Sequence, residues 1–151
     1  AYTNRGTLRA ATGDVQGAIA DYNQAIKLDP NSADAYAGRG LVRAVMRDYK
    51  TAIADHDQAI RLNPNDAKTY TNRGLFHALS GNDKKAIADY TAAIRLDPNT
   101  ASAYNNRGLA YARLKNKAKA TEDLKKSASL YLKAGDKTSQ KRVLEDLKKV
   151  R

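Results

Sequence analysis

Tyr70-Thr-Asn-Arg-Gly74 is one of four copies of the same stretch. The others are Tyr2-Thr-Asn-Arg-Gly6, Tyr36-Ala-Gly-Arg-Gly40 and Tyr104-Asn-Asn-Arg-Gly108, each starting 34 residues after the last. A second block keeps step with the first: Ala18-Ile-Ala-Asp-Tyr22, Ala52-Ile-Ala-Asp-His56, Ala86-Ile-Ala-Asp-Tyr90 and the looser Ala120-Thr-Glu-Asp-Leu124. Pro30, Pro64 and Pro98 close three units at the same interval. A fixed period of this length decides architecture before any local motif is read, because each unit buries its apolar face only against its neighbours.

Each unit reads as two helices. In the third, Lys68 to Ser80 runs without Pro and puts Leu75 and Leu79 four apart on one face. Gly81-Asn82 breaks it, as a left-handed helix end followed by a cap would. From Asp83 to Leu96, the residues Ala86, Ile87, Tyr90, Ala93 and Ile94 form a broad apolar face. Asp97-Pro98-Asn99 then turns the chain, since Pro cannot continue a helix and disfavours helix in the residue before it. Breaks this short predict antiparallel neighbours. The expectation is an all-α array of repeated helical hairpins.

The small residues have a packing reason. Gly6, Gly40, Gly74 and Gly108 fall inside helices, where Gly costs about 1 kcal/mol relative to Ala. Its recurrence predicts close approach of a neighbouring helix, with Ala18, Ala52, Ala86 and Ala120 as the matching shallow spots. Tyr2, Tyr36, Tyr70 and Tyr104 are expected to be large knobs between hairpins.

Composition narrows the function classes. With 28% charged and 42% hydrophobic residues, the 151-residue chain fits a soluble, folded protein, and a cytoplasmic location is favoured with the compartment left open. There is no Cys, which removes disulfides, thiolate metal sites and a Cys nucleophile. No apolar run reaches the roughly 18–20 residues of a membrane span. The chain begins inside a repeat and without Met, so it reads as a piece of a longer protein. The net charge of +11 is uneven: residues 101–134 hold eight Lys and Arg against two acids, whereas the first two units are balanced. That end should attract acidic surfaces in a salt-sensitive way.

On these motifs the chain resembles the tetratricopeptide-repeat (TPR) family, and its Asn-Arg-Gly copies resemble bacterial versions of the repeat. The family pattern of aromatic, Gly, Ala, aromatic, Ala and Pro is met by the four leading tyrosines, the four glycines, Ala18, Ala52, Ala86 and Ala120, then Tyr22 and Tyr90, Ala25, Ala59 and Ala93, and the three prolines. The resemblance implies an all-α, right-handed superhelical solenoid of helix-turn-helix hairpins in four units, 1–32, 33–66, 67–100 and 101–134. The fourth drifts, with Leu124, Ser127 and Leu132 in place of the aromatic, the second Ala and the Pro, so its second helix should run on to about Ala134. Residues 135–151 carry Val143, Leu144, Leu147 and Val150 as one apolar stripe and should form a C-terminal capping helix.

One departure is systematic. The family's Leu before Gly is Arg in every copy (Arg5, Arg39, Arg73, Arg107), and an Asp follows 16 residues later (Asp21, Asp55, Asp89, Asp123). That spacing places the two on facing helices of a hairpin and predicts four Arg–Asp pairs.

Nothing reads as an active site, and an enzyme is not expected. His56 and His77 replace aromatics on apolar faces, without a ligand-spaced partner. The glycines are single and make no phosphate loop. Neither cofactor, metal nor small-molecule substrate is predicted. The resemblance points instead to a non-catalytic protein-interaction scaffold with a peptide in its concave groove. The family's groove positions fall here on Thr3, Asn4, Thr7, Asp34, Ala37, Gly38, Leu41, Lys68, Thr71, Asn72, Leu75, Ser102, Asn105, Asn106 and Leu109. Asn4, Asn72 and Asn106, interrupted by Gly38, are similar to the asparagine ladder of O-linked N-acetylglucosamine transferases, whose amides grip a peptide backbone. The carboxylate clamp of chaperone-binding TPR domains is not matched, since only Lys68 and Asn72 carry a likeness. The partner is thus a protein or peptide, with acidic residues favoured by the C-terminal charge. The alternatives are self-association through the solenoid ends and, with less support, salt-dependent nucleic-acid binding by residues 113–126 and 137–151.

Overall fold

The computed structural model describes residues 1–150, all of whose regular structure is helical. The helices are α1 (Tyr2–Ala11), α2 (Val15–Leu28), α3 (Ala33–Val45), α4 (Tyr49–Leu62), α5 (Ala67–Leu79), α6 (Asp83–Leu96), α7 (Ala101–Arg113), α8 (Lys117–Lys133) and α9 (Lys137–Val150). Each packs on the next in sequence. The odd helices also touch their odd neighbours, from α1–α3 through to α7–α9, whereas no even helix touches another even helix among the described residues. Helices that meet on one side and splay on the other make a curved stack. The odd helices therefore line its inner face. The chain is an all-α solenoid of helical hairpins closed by a terminal helix.

Local chemistry sets the helix ends at the repeat period. Asp14, Asp48, Asn82 and Asn116 are the N-caps of the even helices, each accepting from the backbone N–H three residues on. The residue before each cap is left-handed: Gly13, Arg47, Gly81 and Lys115, at φ of 84°, 62°, 81° and 60°. The first odd helix shows the closure, with Asp14 N–H donating to Arg9 C=O at 2.9 Å and Gly13 N–H to Ala10 C=O at 3.2 Å. Helix α8 extends to Lys133 and is followed by Gly135 at φ 75°.

The core is thin and small-residue rich, as helices at close quarters require. Ala18, Ala52, Ala86 and Ala120 are fully buried. A Cβ on Gly74 would lie 2.7 Å from Tyr90 and 3.2 Å from the Ala86 carbonyl, and one on Gly108 3.0 Å from Leu124 and 3.2 Å from the Ala120 carbonyl. Both glycines therefore let the second helix of their own hairpin come close. At the C-terminal end, Leu124, Ala128, Val143 and Leu147 form one buried cluster. Leu144, expected on the same stripe, is exposed instead, while Val143 and Leu147 are buried against α8 and Val150 packs partly buried beside them.

All four Arg–Asp pairs form, and each is forked. Nε donates to one carboxylate oxygen at 2.7–3.0 Å and Nη2 to the other at 2.6–2.8 Å. The carboxylates are nearly buried, and the two hydrogen bonds satisfy both oxygens. The guanidinium also reaches backwards. Nη1 of Arg39, Arg73 and Arg107 donates to Asn23, Asp57 and Thr91 of the preceding hairpin at 2.7, 2.8 and 3.1 Å. Each arginine lies over the ring of its own hairpin's leading tyrosine, 5.2–5.7 Å from the centroid. One side chain thus ties two helices of its hairpin and the hairpin before it.

Candidate peptide groove on the inner face

The groove is built by residues of the odd helices that point away from their even partners. On α3, α5 and α7 the four-residue spacing aligns Leu41 with Val45, Leu75 with Leu79, and Leu109 with Arg113. The leucines at 41, 75 and 79 and Val45 are exposed, Val45 at 75%. An apolar stripe with so little cover is a docking feature when it is contiguous and concave.

Two cavities lie along it. One of about 300 Å³ lies between α5 and α7, with Leu75, Ala78, Leu79, Tyr90 and Asn106 around it. The other, about 570 Å³, lies between α7 and α9. Leu109 and Arg113 line both, so the two form one trough across the last two hairpins and the terminal helix. Arg113 borders both. It is fixed by a forked ion pair to Asp83 at the start of α6, with Nη2–Oδ1 at 2.7 Å and Nε within 3.1 Å of both oxygens.

The fifteen groove positions named from the sequence separate into three groups. Asn4, Thr7, Asp34, Leu41, Lys68, Leu75 and Ser102 are exposed, and Thr3, Ala37, Gly38, Asn72, Asn106 and Leu109 are half-buried. Thr71 and Asn105 are buried. The Thr71 hydroxyl donates to the Ala67 carbonyl at 2.9 Å, and Asn105 Nδ2 donates to Asn106 Oδ1 at 3.4 Å, so both turn from the groove into the seam between hairpins. Asn105 Oδ1 is left without a partner in that seam. Thr7 is also committed, donating to Thr3 C=O at 3.0 Å and meeting the Tyr22 hydroxyl at 3.1 Å.

Asn4, Asn72 and Asn106 stand at equivalent places of α1, α5 and α7 but differ in state. Among the described residues the side chains of Asn4 and Asn72 make no hydrogen bond within the protein, so their donors and acceptor are available to a peptide unit. Gly38 breaks the row for a steric reason: a Cβ there would meet the Tyr22 ring at 2.5 Å. Sequence reasoning did not find Ala78, Arg113, Lys117 or Val150 as groove-lining residues. The first two recur one helical turn after Leu75 and Leu109, a signal present in the period. The last two need the placement of α9.

The two histidines are packing groups. His56 is fully buried, its Nδ1 bonding the Ala52 carbonyl at 3.2 Å and its ring standing edge-on to Phe76 at 4.8 Å. His77 lies 3.9 Å from Asp89 where the first two hairpins have a second arginine, Arg9 or Arg43, on the matching Asp. Burial holds both imidazoles below their ordinary range, with Asp89 opposing that in His77. Among the described residues no group of three or more His, Cys, Asp or Glu could hold a metal ion, and no helix is long and apolar enough to cross a membrane.

Comparison with known proteins places this geometry. A family model described as TPR repeat matches residues 6–44 and 77–115, and one described as tetratricopeptide repeat matches 101–133. Among solved structures, a crystal structure of MamA is similar at 22% identity, over 99% of this chain and 89% of that one, with a TM-score of 0.79. MamA 41-end from Desulfovibrio magneticus RS-1 is 26% identical over 87% of this chain and 75% of that one, with a TM-score of 0.81. A pilF structure from Pseudomonas aeruginosa is 22% identical over 99% and 75%, at 0.78. No curated protein matches the chain.

Proposed function

The chain belongs to the tetratricopeptide-repeat family, and we propose that it is a non-catalytic interaction scaffold holding a peptide segment of a partner protein in its concave groove. The observation that carries this reading is the trough at Leu109 and Arg113, where two cavities join beneath exposed leucines. Leu41, Leu75 and Leu109 supply apolar contact, and Asn72 and Asn106 supply hydrogen bonds to the peptide backbone. Acidic residues of the segment are drawn toward the Lys-rich end. A single-groove contact of this kind is of micromolar strength, about −8 kcal/mol.

Selection of a random peptide library on the domain, with Asn72→Ala/Asn106→Ala in parallel, tests the reading. Peptides that share a motif and are lost on the double variant support the groove. An empty selection, or equal binding by the variant, overturns it.

A second reading, self-association through the α1–α2 end, is favoured by Leu8. Its equivalents Val42, Phe76 and Ala110 are buried at 0–4%, whereas Leu8 is 68% exposed. Sedimentation at two protein concentrations separates a self-associating form from a monomeric receptor.

A further inference from the structure

The larger cavity differs from the rest of the groove in its electrostatics. Its floor is apolar, made by Leu109, Ala112 and Val150, while Lys115, Lys117 and Lys149 stand around it with Asp146 as the one acid. Asp146 is 3.5 Å from Lys149, and Arg113 is held by Asp83. Among the described residues Lys115 and Lys117 have no acidic partner, and both are exposed. Lys115 is held in the left-handed conformation that ends α7, its N–H donating to the Ala112 carbonyl at 2.9 Å. The turn therefore fixes the direction in which its side chain leaves the backbone. Apolar floor and unpaired cations together ask for a ligand with an apolar side chain beside carboxylates. Attraction between such exposed charges is modest and screened by salt.

We infer that the cavity between α7 and α9 is an anchor site for an acidic segment of a partner protein, taking one large apolar side chain into the cavity and its neighbouring Asp or Glu residues onto Lys115 and Lys117. The inference rests on the groove reading above and adds to it a partner chemistry and a direction. The segment enters with its acidic-apolar portion at α7–α9 and runs back over Leu109 toward Asn72. The N-terminal half of the groove is balanced in charge and offers no such bias. Because α9 stands outside the repeat pattern, the site is not shared by the hairpin–hairpin seams.

Four fluorescent dodecapeptides in one Gly-Ser frame test it, carrying at their centre Leu-Asp-Asp-Leu, Leu-Lys-Lys-Leu, Leu-Ser-Ser-Leu or Ser-Asp-Asp-Ser. The expected result is that Leu-Asp-Asp-Leu binds tightest by anisotropy and weakens by about tenfold or more on Lys115→Glu/Lys117→Glu. Added salt should weaken it too. Ala112→Trp, which fills the cavity without changing charge, should weaken it as well, with circular dichroism confirming that both variants are folded. If Leu-Asp-Asp-Leu and Leu-Ser-Ser-Leu bind equally, or Lys115→Glu/Lys117→Glu binds as the parent does, the anchor is wrong while the groove stands. If none of the four binds although the library yields a motif, the anchor again falls alone. An empty library removes both. If sedimentation shows dimers that Leu-Asp-Asp-Leu does not dissociate and that Ala112→Trp abolishes, a second copy covers the cavity and the inference is overturned.

Discussion

Tyr22 stands on Gly38. A Cβ at position 38 would come within 2.5 Å of the Tyr22 ring, while the Tyr22 hydroxyl meets Thr7 at 3.1 Å. The bond to Thr7 tips the ring toward the next hairpin. Tyr90 has Leu75 in place of that Thr and packs closely on its own Gly74. The gap in the asparagine row is therefore imposed by packing beneath it. Gly38→Asn, which would complete the row, should destabilise the protein by about 1–3 kcal/mol through overpacking. Combining it with Tyr22→His, the pairing found at His56 and Asn72, should recover part of that loss. Denaturant midpoints of the two single variants and the double variant check both statements.

The arginine ladder should show a gradient along the chain. Arg73 donates to Asp89 and Asp57 and is mostly covered, whereas the Arg5 guanidinium donates to Asp21 alone among the described residues and its side chain is 55% exposed. Arg73→Ala leaves a nearly buried carboxylate without its partner and should cost about 3–5 kcal/mol. Arg5→Ala should cost less, because Asp21 keeps Arg9 at 3.0 Å. Hydrogen exchange should show Arg73→Ala loosening α4–α6 locally. A variant that loses peptide binding with unchanged exchange would instead make Arg73 a binding residue.

Stability should fall on mild acidification. Both histidines are held below their ordinary pKa by burial, so the unfolded chain takes up protons first. The folded state is then penalised as pH falls below about 6.5, and no penalty exists above it. His56→Phe keeps the edge-on packing with Phe76 and removes the unpaired Nε2. Its stability should be flatter between about pH 6.5 and 5 than the parent's, with the remaining slope reduced further by His77→Gln. Thermal unfolding across that range measures the slopes.

Arg47 occupies a left-handed position at φ 62° where the first and third hairpins have Gly. Its side chain makes no ion pair among the described residues. Arg47→Gly should stabilise by about 0.5–1 kcal/mol, the strain relieved being partly offset by glycine's larger unfolded-state entropy. A lower melting temperature would show that Arg47 is doing something the backbone does not reveal.

Much of this molecule could be read from its period. The 34-residue spacing of Tyr, Arg, Gly, Ala and Asp placed the helices on facing partners, and the 16-residue offset named the Arg–Asp pairs. The backward bond was not seen, because its acceptors differ: Asn23, Asp57 and Thr91 share a place but not a residue type. Thr71 and Asn105 were read as groove residues because helical spacing gives a direction from the axis, not the depth of the neighbouring hairpin that covers it. The α7–α9 cavity was illegible for another reason. It depends on how a helix outside the repeat docks, which no internal copy reports.

The most direct test of the groove is amide-resolved NMR mapping of a library-selected peptide on the intact chain. The account predicts shifts at Asn72, Leu75, Asn106 and Leu109 on the inner helices, with Ala54 and Ala88 on the outer ones unmoved. Shifts confined to Ala54, Ala88 and their outer neighbours, or to Leu8 at the α1–α2 end, would contradict it.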